Sequence, residues 1–391
     1  MFTDTPKQPL FDNTLHLVNN SSMHDISFIA QQFQVDGNLL DTRPYGSGHI
    51  NDTFLLDYGQ QQTILQRINQ SVFKDPIAVM DNFTVVVDHI GRKLAQSDTT
   101  TPERRVLQVV PTRNSDAYHL DENQDVWRMT PFIEGTVTHN IVRDVSWLRE
   151  AGHAFGQFQQ QLSDLSPSSL TDTIPNFHNA RMRFDAFLDA LSNDRCNRAQ
   201  AAAASIQFVL AQEPLVDVLS KLNATGQIPT RVTHNDTKIN NLLYDRHTGE
   251  ALCVTDLDTT MAGLALYDFG DLVRSAVSLS AEDERNLDLV HADLGRFEQL
   301  AHGYLDATHA MLNSAEKAHL VHACQLLTYV IGVRFLTDHL RGDEYFKIHR
   351  ANHNLDRARS QFKLVQSMQD QTDAMEQIVE RWERRIVNSY R

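Results

Sequence analysis

The sequence has few cysteines and no long apolar run, and both features restrict the classes of protein to which the chain can belong. Its three cysteines, Cys196, Cys253 and Cys324, are far apart and form no C-x-x-C pair. An odd number at such spacing predicts buried free thiols in a reducing cytoplasm rather than a disulfide framework. The most apolar stretch, residues 326–336, contains Arg334 and is too short to span a bilayer. The first residues lack the basic and apolar regions of a signal peptide.

Basic residues are also scarce. Lys and Arg number 35 against 50 Asp and Glu, which gives a formal net charge of −15. Such a charge repels polyanions, so neither nucleic acid nor an anionic membrane is an expected partner. The apolar content of 41 % is ordinary for a globular chain, and the length allows one large domain or two lobes.

The pattern of apolar residues changes near Gly135. After an N-terminal extension over residues 1–25, short β-rich runs separated by Gly, Asn and Asp predict a small antiparallel sheet. These runs are residues 39–45, 53–58, 63–68, 106–110 and 126–129. One helix, beginning at Pro76 and extending to residue 94, is predicted to interrupt the sheet.

Beyond Gly135 the stretches are amphipathic with helical spacing, except at residues 232–257, where two apolar runs flank a plausible hairpin turn. We therefore predict an α+β fold of two lobes. Residues 26–133 would form a β-rich lobe with one helix, and residues 134–391 a larger helical lobe. The polar last helix is expected to serve in packing or dimerisation, so a monomer and a homodimer both remain open.

The hairpin region contains the pattern H-x-D-x-K-x-x-N at residues 234–241, followed by Asp256 on the next predicted strand. Phosphoryl transfer needs a carboxylate for the attacking hydroxyl, oxygen ligands for Mg²⁺ and a cation near the transferred group. Any one of these aspartates alone would suggest a turn or cap residue, but the combined spacing resembles the catalytic loop of protein kinases. The resemblance implies Asp236 as base, Lys238 as γ-phosphate contact, and Asn241 with Asp256 as Mg²⁺ ligands.

Two further residues near this pattern are expected to have structural roles. His234 would hold the catalytic loop together. The tripeptide beginning at Asp268 spells the metal-binding D-F-G of protein kinases, but it lies 32 residues after Asp236 and has the pattern of a helix start. We therefore assign Asp268 to helix capping or loop bracing.

For the nucleotide, Gly46, Ser47 and Gly48 lie between two predicted strands. Their backbone N–H groups would cover ATP phosphates or would form no more than a turn, since the pattern is neither G-x-G-x-x-G nor Walker A. The following strand has no lysine where protein kinases carry one. Arg67 is its nearest cation, and it either substitutes or leaves the phosphates to Mg²⁺ and Lys238. The adenine is expected against the hinge, whose contact residues we predict to be Met129, Phe132 and Ile133.

The wider chain resembles the aminoglycoside phosphotransferase and choline kinase group. Residues 234–241, 255–261 and 268–274 look like the bacterial N-acetylhexosamine 1-kinases. That resemblance is dense over residues 231–364 and diffuse before residue 130. It implies an ATP- and Mg²⁺-dependent enzyme that phosphorylates the anomeric hydroxyl of N-acetylglucosamine or N-acetylgalactosamine.

On the acceptor side, Arg334 and Asp338 are four residues apart on one predicted helical face. They form either an intrahelical salt bridge or a pair of sugar contacts. The resemblance favours Arg334 as a hexose contact, and Arg274 is a further candidate. Two alternatives remain. One is a phosphotransferase for another small hydroxyl acceptor, such as an aminoglycoside, choline, homoserine or another sugar. The other is a nucleotide-binding pseudokinase, which the missing strand lysine supports and the intact metal-binding residues oppose.

Overall fold

A computed structural model describes residues 25–46, 50–97, 99 and 101–389, with side chains as far as residue 385. Of the predicted N-terminal extension, residues 1–24 lie outside the described part. All three cysteines are free; Cys253 and Cys324 are buried, whereas Cys196 is exposed.

The N-terminal lobe is built on a five-stranded antiparallel sheet with strand order β1-β2-β3-β5-β4. Its strands are β1 (Asp41–Pro44), β2 (Asp52–Asp57), β3 (Gln62–Arg67), β4 (His119–Leu120) and β5 (Val126–Pro131). One face packs against the short helix α1 (Ile26–Ala30) through Leu56, Leu65, Trp127 and Met129. The strand predicted at residues 106–110 does not form; β4 takes its place at the sheet edge.

Helix α2 (Pro76–Ala95) follows β3 and covers the other side of this lobe. Asp75 caps it by accepting a hydrogen bond from the Ala78 N–H, and Pro76 occupies the first turn, where no amide donor is needed. The apolar face of α2, which includes Phe83 and Ile90, joins the main hydrophobic core.

The C-terminal lobe is mainly helical. Its helices are α3 (Val145–Gln161), α4 (Ala180–Asn193), α5 (Ala203–Ala211), α6 (Val218–Ala224), α7 (Ala265–Ala276), α8 (Leu294–Thr308), α9 (Ser314–Ala318), α10 (Leu320–Arg341), α11 (His353–Gln369) and α12 (Thr372–Ser389). Five short strands interrupt them: β6 (Thr136–Val137), β7 (Arg231–Thr233), β8 (Leu242–Asp245), β9 (Ala251–Val254) and β10 (Met261–Gly263). The predicted fold class, a small β-rich lobe followed by a larger helical one, is confirmed.

Helices α3 and α8 approach each other closely because glycines line their contact. A Cβ on Gly303 would lie 2.0 Å from the Arg149 carbonyl oxygen, and one on Gly152 would lie 2.3 Å from that of Leu300. No side chain fits at either position without moving a backbone. This crossing fixes α3 beneath the β8–β9 hairpin.

Helix α10 is the longest helix of the lobe, with 22 residues. By length and composition it could cross a membrane, but 83 % of its most apolar window is buried inside this fold. It packs against α4, α7 and α11, and is thus a central core helix here.

Candidate active site

A loop at residues 234–238 and a 3-10 turn at Ile239–Asn241 connect β7 to β8. The buried carboxylate of Asp268, in the first turn of α7, accepts hydrogen bonds from the N–H groups of His234 at 2.9 Å and Asn235 at 2.7 Å. The Gln159 side chain donates a third at 2.5 Å. Asp268 therefore braces the loop from below and takes no part in the open cleft.

His234 secures the loop from within. Its Nδ1 accepts from the Asp236 N–H at 3.2 Å, so the ring proton lies on Nε2, which donates to the Thr255 carbonyl at 2.9 Å. The ring packs edge-on against Phe155 and Phe158. His234 thereby ties the loop to the segment that carries Asp256.

Asp236, Lys238 and Asn241 converge on one point at the mouth of this loop. The Lys238 Nζ lies 3.0 Å from Asp236 Oδ2. Asn241 Nδ2 donates to the Asp236 carbonyl at 2.8 Å and to its Oδ2 at 3.2 Å, which leaves the Asn241 Oδ1 for a cation. Burial tends to raise the pKa of Asp236, but the charge of Lys238 and its hydrogen bond to the carboxylate hold that pKa below its usual value. Asp236 is therefore ionised, as a base must be.

Asp256 follows β9 in a left-handed conformation with φ of 60°. Its carboxylate has no hydrogen-bond partner within the described residues. Desolvation by the surrounding protein, together with the neighbouring charges of Asp258 and Asp236, raises the pKa of Asp256 to about 6. An unpaired carboxylate beside two others favours a bound cation.

These donors fit Mg²⁺. The ion is commonly held by one or two carboxylates together with phosphate oxygens and water rather than by an all-protein cage. Asp256 and the Asn241 Oδ1 supply protein ligands of that kind, and the described residues contain no cluster of three or more His, Cys, Asp or Glu suited to a metal.

The nucleotide side differs from expectation at two residues. Met129 is buried in the sheet core with Trp127, because alternate residues of β5 face opposite sides, so its side chain does not line the cleft. Arg67 is bound to Asp52 and, at 3.0 Å, to Asp125. Both carboxylates occupy its guanidinium, and its proposed role as a substitute for the strand lysine is not supported.

Of the remaining predicted nucleotide residues, Ser47 and Gly48 lie outside the described part of the chain. Gly46 lies two residues beyond β1 and has φ of 80°. Ile133 forms an apolar cluster with Leu243 and Cys253 below the hinge, which would suit an adenine ring. Phe132 is held by its N–H bond to Gln62 and meets the ring of Tyr45 edge-on at 5.7 Å.

On the acceptor side Arg334 is half-buried and has no hydrogen bond or ion pair with another described residue. Its guanidinium instead lies 5.4–5.8 Å from the ring centres of Phe177, Tyr345 and Phe346. A planar cation among aromatic faces, with its N–H donors unused, is well suited to bind a polar ligand.

Asp338 does not pair with Arg334. Its carboxylate accepts the N–H groups of Glu344, Tyr345 and Phe346 at 2.8–3.0 Å, as well as the Asn354 amide. The expected salt bridge is therefore wrong, and these donors occupy the carboxylate that was predicted to contact the sugar. Asp338 orders the loop that presents the two aromatic rings to Arg334.

The Arg274 side chain is also occupied by partners within the protein. The buried guanidinium bonds Asp271 Oδ1 at 2.7 Å and Glu282 at 3.2 Å, so it is not a free donor for a substrate. Its role is to fix Asp271, whose second oxygen, Oδ2, is buried without a partner in the described part of the chain.

His178 is a second acceptor-side residue that the sequence analysis missed. Its Nε2 donates to the Asn235 carbonyl at 2.8 Å, and its Nδ1 is buried without a partner among the described residues. Burial lowers the pKa of His178 to about 4; Arg334 adds to this effect, whereas the charges of Asp271 and Asp236 oppose it. These groups thus lie close enough to one another to interact electrostatically. No local pattern surrounds His178, so no sequence signal identified it.

The chain belongs to the phosphotransferase enzyme family, whose sequence profile matches residues 41–303. The fold is protein-kinase-like. A solved aminoglycoside phosphotransferase from Alicyclobacillus acidocaldarius is similar at TM-score 0.61 and 12 % identity, over 93 % of this chain and 98 % of its own. A microcompartment-associated aminopropanol kinase is similar at TM-score 0.56 and 15 % identity, over 90 % of this chain and 97 % of its own. Choline kinase from Cryptosporidium parvum is similar at TM-score 0.56 and 13 % identity, over 91 % of this chain and 98 % of its own.

Proposed function

We propose that this phosphotransferase is an ATP- and Mg²⁺-dependent kinase that phosphorylates the anomeric hydroxyl of an N-acetylhexosamine. The observation that carries the kinase assignment is the convergence of Asp236, Lys238 and Asn241 on one point, with the unpaired Asp256 beside them. These residues supply the base, the cation and the two metal ligands that phosphoryl transfer requires.

The ionised Asp236 orients the acceptor hydroxyl and accepts its proton as the oxygen attacks the γ-phosphorus of ATP. Lys238, now paired with Asp236 at 3.0 Å, is close enough to turn towards the transferred phosphoryl group. Asn241 and Asp256 would hold Mg²⁺, which when bound neutralises phosphate charge. Asn241 also donates to Asp236, so one residue sets the base relative to the metal position.

The acceptor side supports a neutral, polyhydroxylated ligand. Arg334 offers unused donors, while Asp271 Oδ2 and His178 Nδ1 offer unused acceptors. A sugar presents hydroxyls that satisfy both kinds of group, and the rings of Tyr345 and Phe346 suit its apolar face. The free cation disfavours a polycation such as an aminoglycoside. The sequence resemblance at residues 231–364 supports the N-acetylhexosamine assignment.

The second candidate is the same chemistry on a small amino alcohol. It is favoured by the free Oδ2 of Asp271, a buried carboxylate oxygen that would suit an ammonium group. Two of the similar structures are named as an aminopropanol kinase and a choline kinase. Their low identity indicates a shared fold, so the acceptor has to be tested directly.

The test is ATP-dependent phosphorylation of N-acetylglucosamine, N-acetylgalactosamine, aminopropanol, choline, homoserine and kanamycin, with Mg²⁺ and with EDTA. Phosphorus NMR locates the phosphate on any product. An anomeric phosphate formed only with Mg²⁺ is the expected result. Preferential turnover of an amino alcohol would replace the sugar assignment but retain the catalytic one, and nucleotide binding without turnover of any acceptor would favour a pseudokinase.

A further inference from the structure

We propose that Arg128, Asp258 and Asn51 form an inter-lobe latch that positions the metal ligand Asp256. The latch takes the place of the lysine–glutamate ion pair of protein kinases, because β3 contains no lysine and α2 no glutamate. The inference rests on the nucleotide-binding part of the proposed function and is independent of the acceptor.

Arg128 supplies the cation that β3 does not carry. It lies on β5 directly opposite Gln66 of β3, and its Nε donates to Gln66 Oε1 at 3.0 Å. Its other arm forms a short ion pair with Asp258 of the C-terminal lobe. The Arg128 and Asp258 side chains are 3 % and 1 % exposed, so water does not screen the pair.

Asn51 holds the second oxygen of the same carboxylate. Its Nδ2 donates to Asp258 Oδ2 at 2.6 Å, while its Oδ1 accepts the Asn69 N–H at 3.0 Å. Asn51 immediately precedes β2 and Asn69 follows β3. Both oxygens of Asp258 are therefore bound by donors from the N-terminal lobe.

Helix α2 joins the same assembly. The ring of Phe83 lies 4.7 Å from the Arg128 guanidinium carbon, and Asn82 donates to the Thr260 carbonyl at 3.0 Å. In protein kinases the corresponding helix contributes a glutamate to the lysine pair. Here α2 contributes an aromatic face and an amide, and the carboxylate comes from the C-terminal lobe.

Stability alone is a weak reason for such a pair, because the desolvation of two buried charges offsets most of their attraction. Its location indicates another role. Asp258 is two residues beyond Asp256, and the 3-10 turn Leu257–Thr259 begins directly after that metal ligand. The Thr173 hydroxyl also donates to the Asp258 carbonyl at 2.8 Å. Restraining Asp258 therefore restrains the orientation of Asp256. The three latch residues thus act by positioning the metal ligand: Arg128, Asp258 and Asn51.

The test measures ADP affinity by isothermal titration calorimetry with Mg²⁺ and with EDTA. We expect Asp258→Asn to lower the affinity for Mg²⁺–ADP roughly tenfold and to change the affinity in EDTA much less, because the metal ligand is misplaced. Asn51→Ala removes one donor to Asp258 and the acceptor of the Asn69 N–H, and it should lower the affinity for Mg²⁺–ADP about threefold for the same reason. Asn51→Ala decides the question if Asp258→Asn does not fold.

The matched control is Glu316→Gln. Glu316 is as buried as Asp258 and pairs with Arg231 at 2.9 Å, but it lies on α9, and its hydrogen bonds within the described residues go to Arg231 and Asn313 rather than to Asp256 or α2. The Glu316→Gln substitution should lower the melting temperature and leave the Mg²⁺-dependent gain in ADP affinity unchanged. The latch would be overturned if Mg²⁺ raised ADP affinity by the same factor in wild type and in both latch variants. It would also be overturned if Glu316→Gln lost as much Mg²⁺-dependent affinity as the latch variants. Wild-type protein that binds no ADP would instead contradict the proposed function.

Discussion

The base of the catalytic loop and the acceptor side contrast in how their polar groups are paired. In the base, Asp268 receives three donors, and both nitrogens of His234 are bonded. On the acceptor side, Arg334, Asp271 Oδ2 and His178 Nδ1 have no polar partner among the described residues.

The contrast separates groups that serve the fold from groups that serve a ligand. Leaving a buried polar atom without a partner costs about 1–3 kcal/mol. Such a cost is accepted where a ligand later supplies the partner. Paired residues should therefore affect folding when changed, and unpaired ones should affect acceptor binding.

The largest expected effect is on turnover, at Asp236, which lies between the two regions. Asp236→Asn should lower kcat by roughly two or more orders of magnitude, because the amide cannot accept the hydroxyl proton. The side chain keeps its shape, so the melting temperature and ADP affinity should stay near the wild-type values. Steady-state kinetics with thermal denaturation checks this. Turnover close to wild type would remove Asp236 from the role of base.

Asp268→Asn tests the paired region. In the wild type, three donors share the two carboxylate oxygens of Asp268, whereas the amide of the variant offers them only one oxygen. The free energy of unfolding should therefore fall by about 3 kcal/mol. Urea denaturation followed by circular dichroism measures the change. Unchanged stability with reduced activity would indicate that Asp268 acts in the chemistry instead.

The proposed catalytic residues were predictable from the sequence because their spacing is local. Asp236, Lys238, Asn241 and Asp256 flank one hairpin, β8–β9, where distance along the chain determines distance in space. The fold class was predictable for a similar reason, since apolar periodicity is a property of each short segment.

The missed residues depend on tertiary contacts. Arg128 and Asp258 are 130 positions apart, and no pattern in either segment connects them. Met129 was assigned to the nucleotide because the sequence places the hinge but not the face of β5 that meets the cleft. Asp338 was assigned to the substrate or to a salt bridge with Arg334 because the loop amides that bind it belong to a segment of no regular structure.

Arg334→Gln tests the unpaired region. We expect KM for the acceptor to rise about tenfold with KM for ATP and melting temperature unchanged, because the guanidinium has no protein ion pair to lose. Arg341→Gln is the matched control. It lies on the same helix, but its guanidinium bonds the Ala186 carbonyl and the exposed Asp189 carboxylate. A higher acceptor KM in Arg341→Gln, or a lower melting temperature in Arg334→Gln, would break the contrast between the two regions.

The smallest effect on catalysis is expected from Asp338→Asn, which tests whether a paired residue can influence the acceptor at a distance. The new amide group would face the N–H donors that Asp338 now satisfies, so the loop carrying Tyr345 and Phe346 should lose order. Acceptor KM should rise about threefold, with kcat almost unchanged, because Arg334 retains its donors and loses only its aromatic setting. Combining Asp338→Asn with Arg334→Gln distinguishes the two routes. If Asp338 acts through the rings around Arg334, the double variant should be less impaired than the product of the single effects. Fully multiplicative effects would show that the loop contacts the acceptor independently of Arg334.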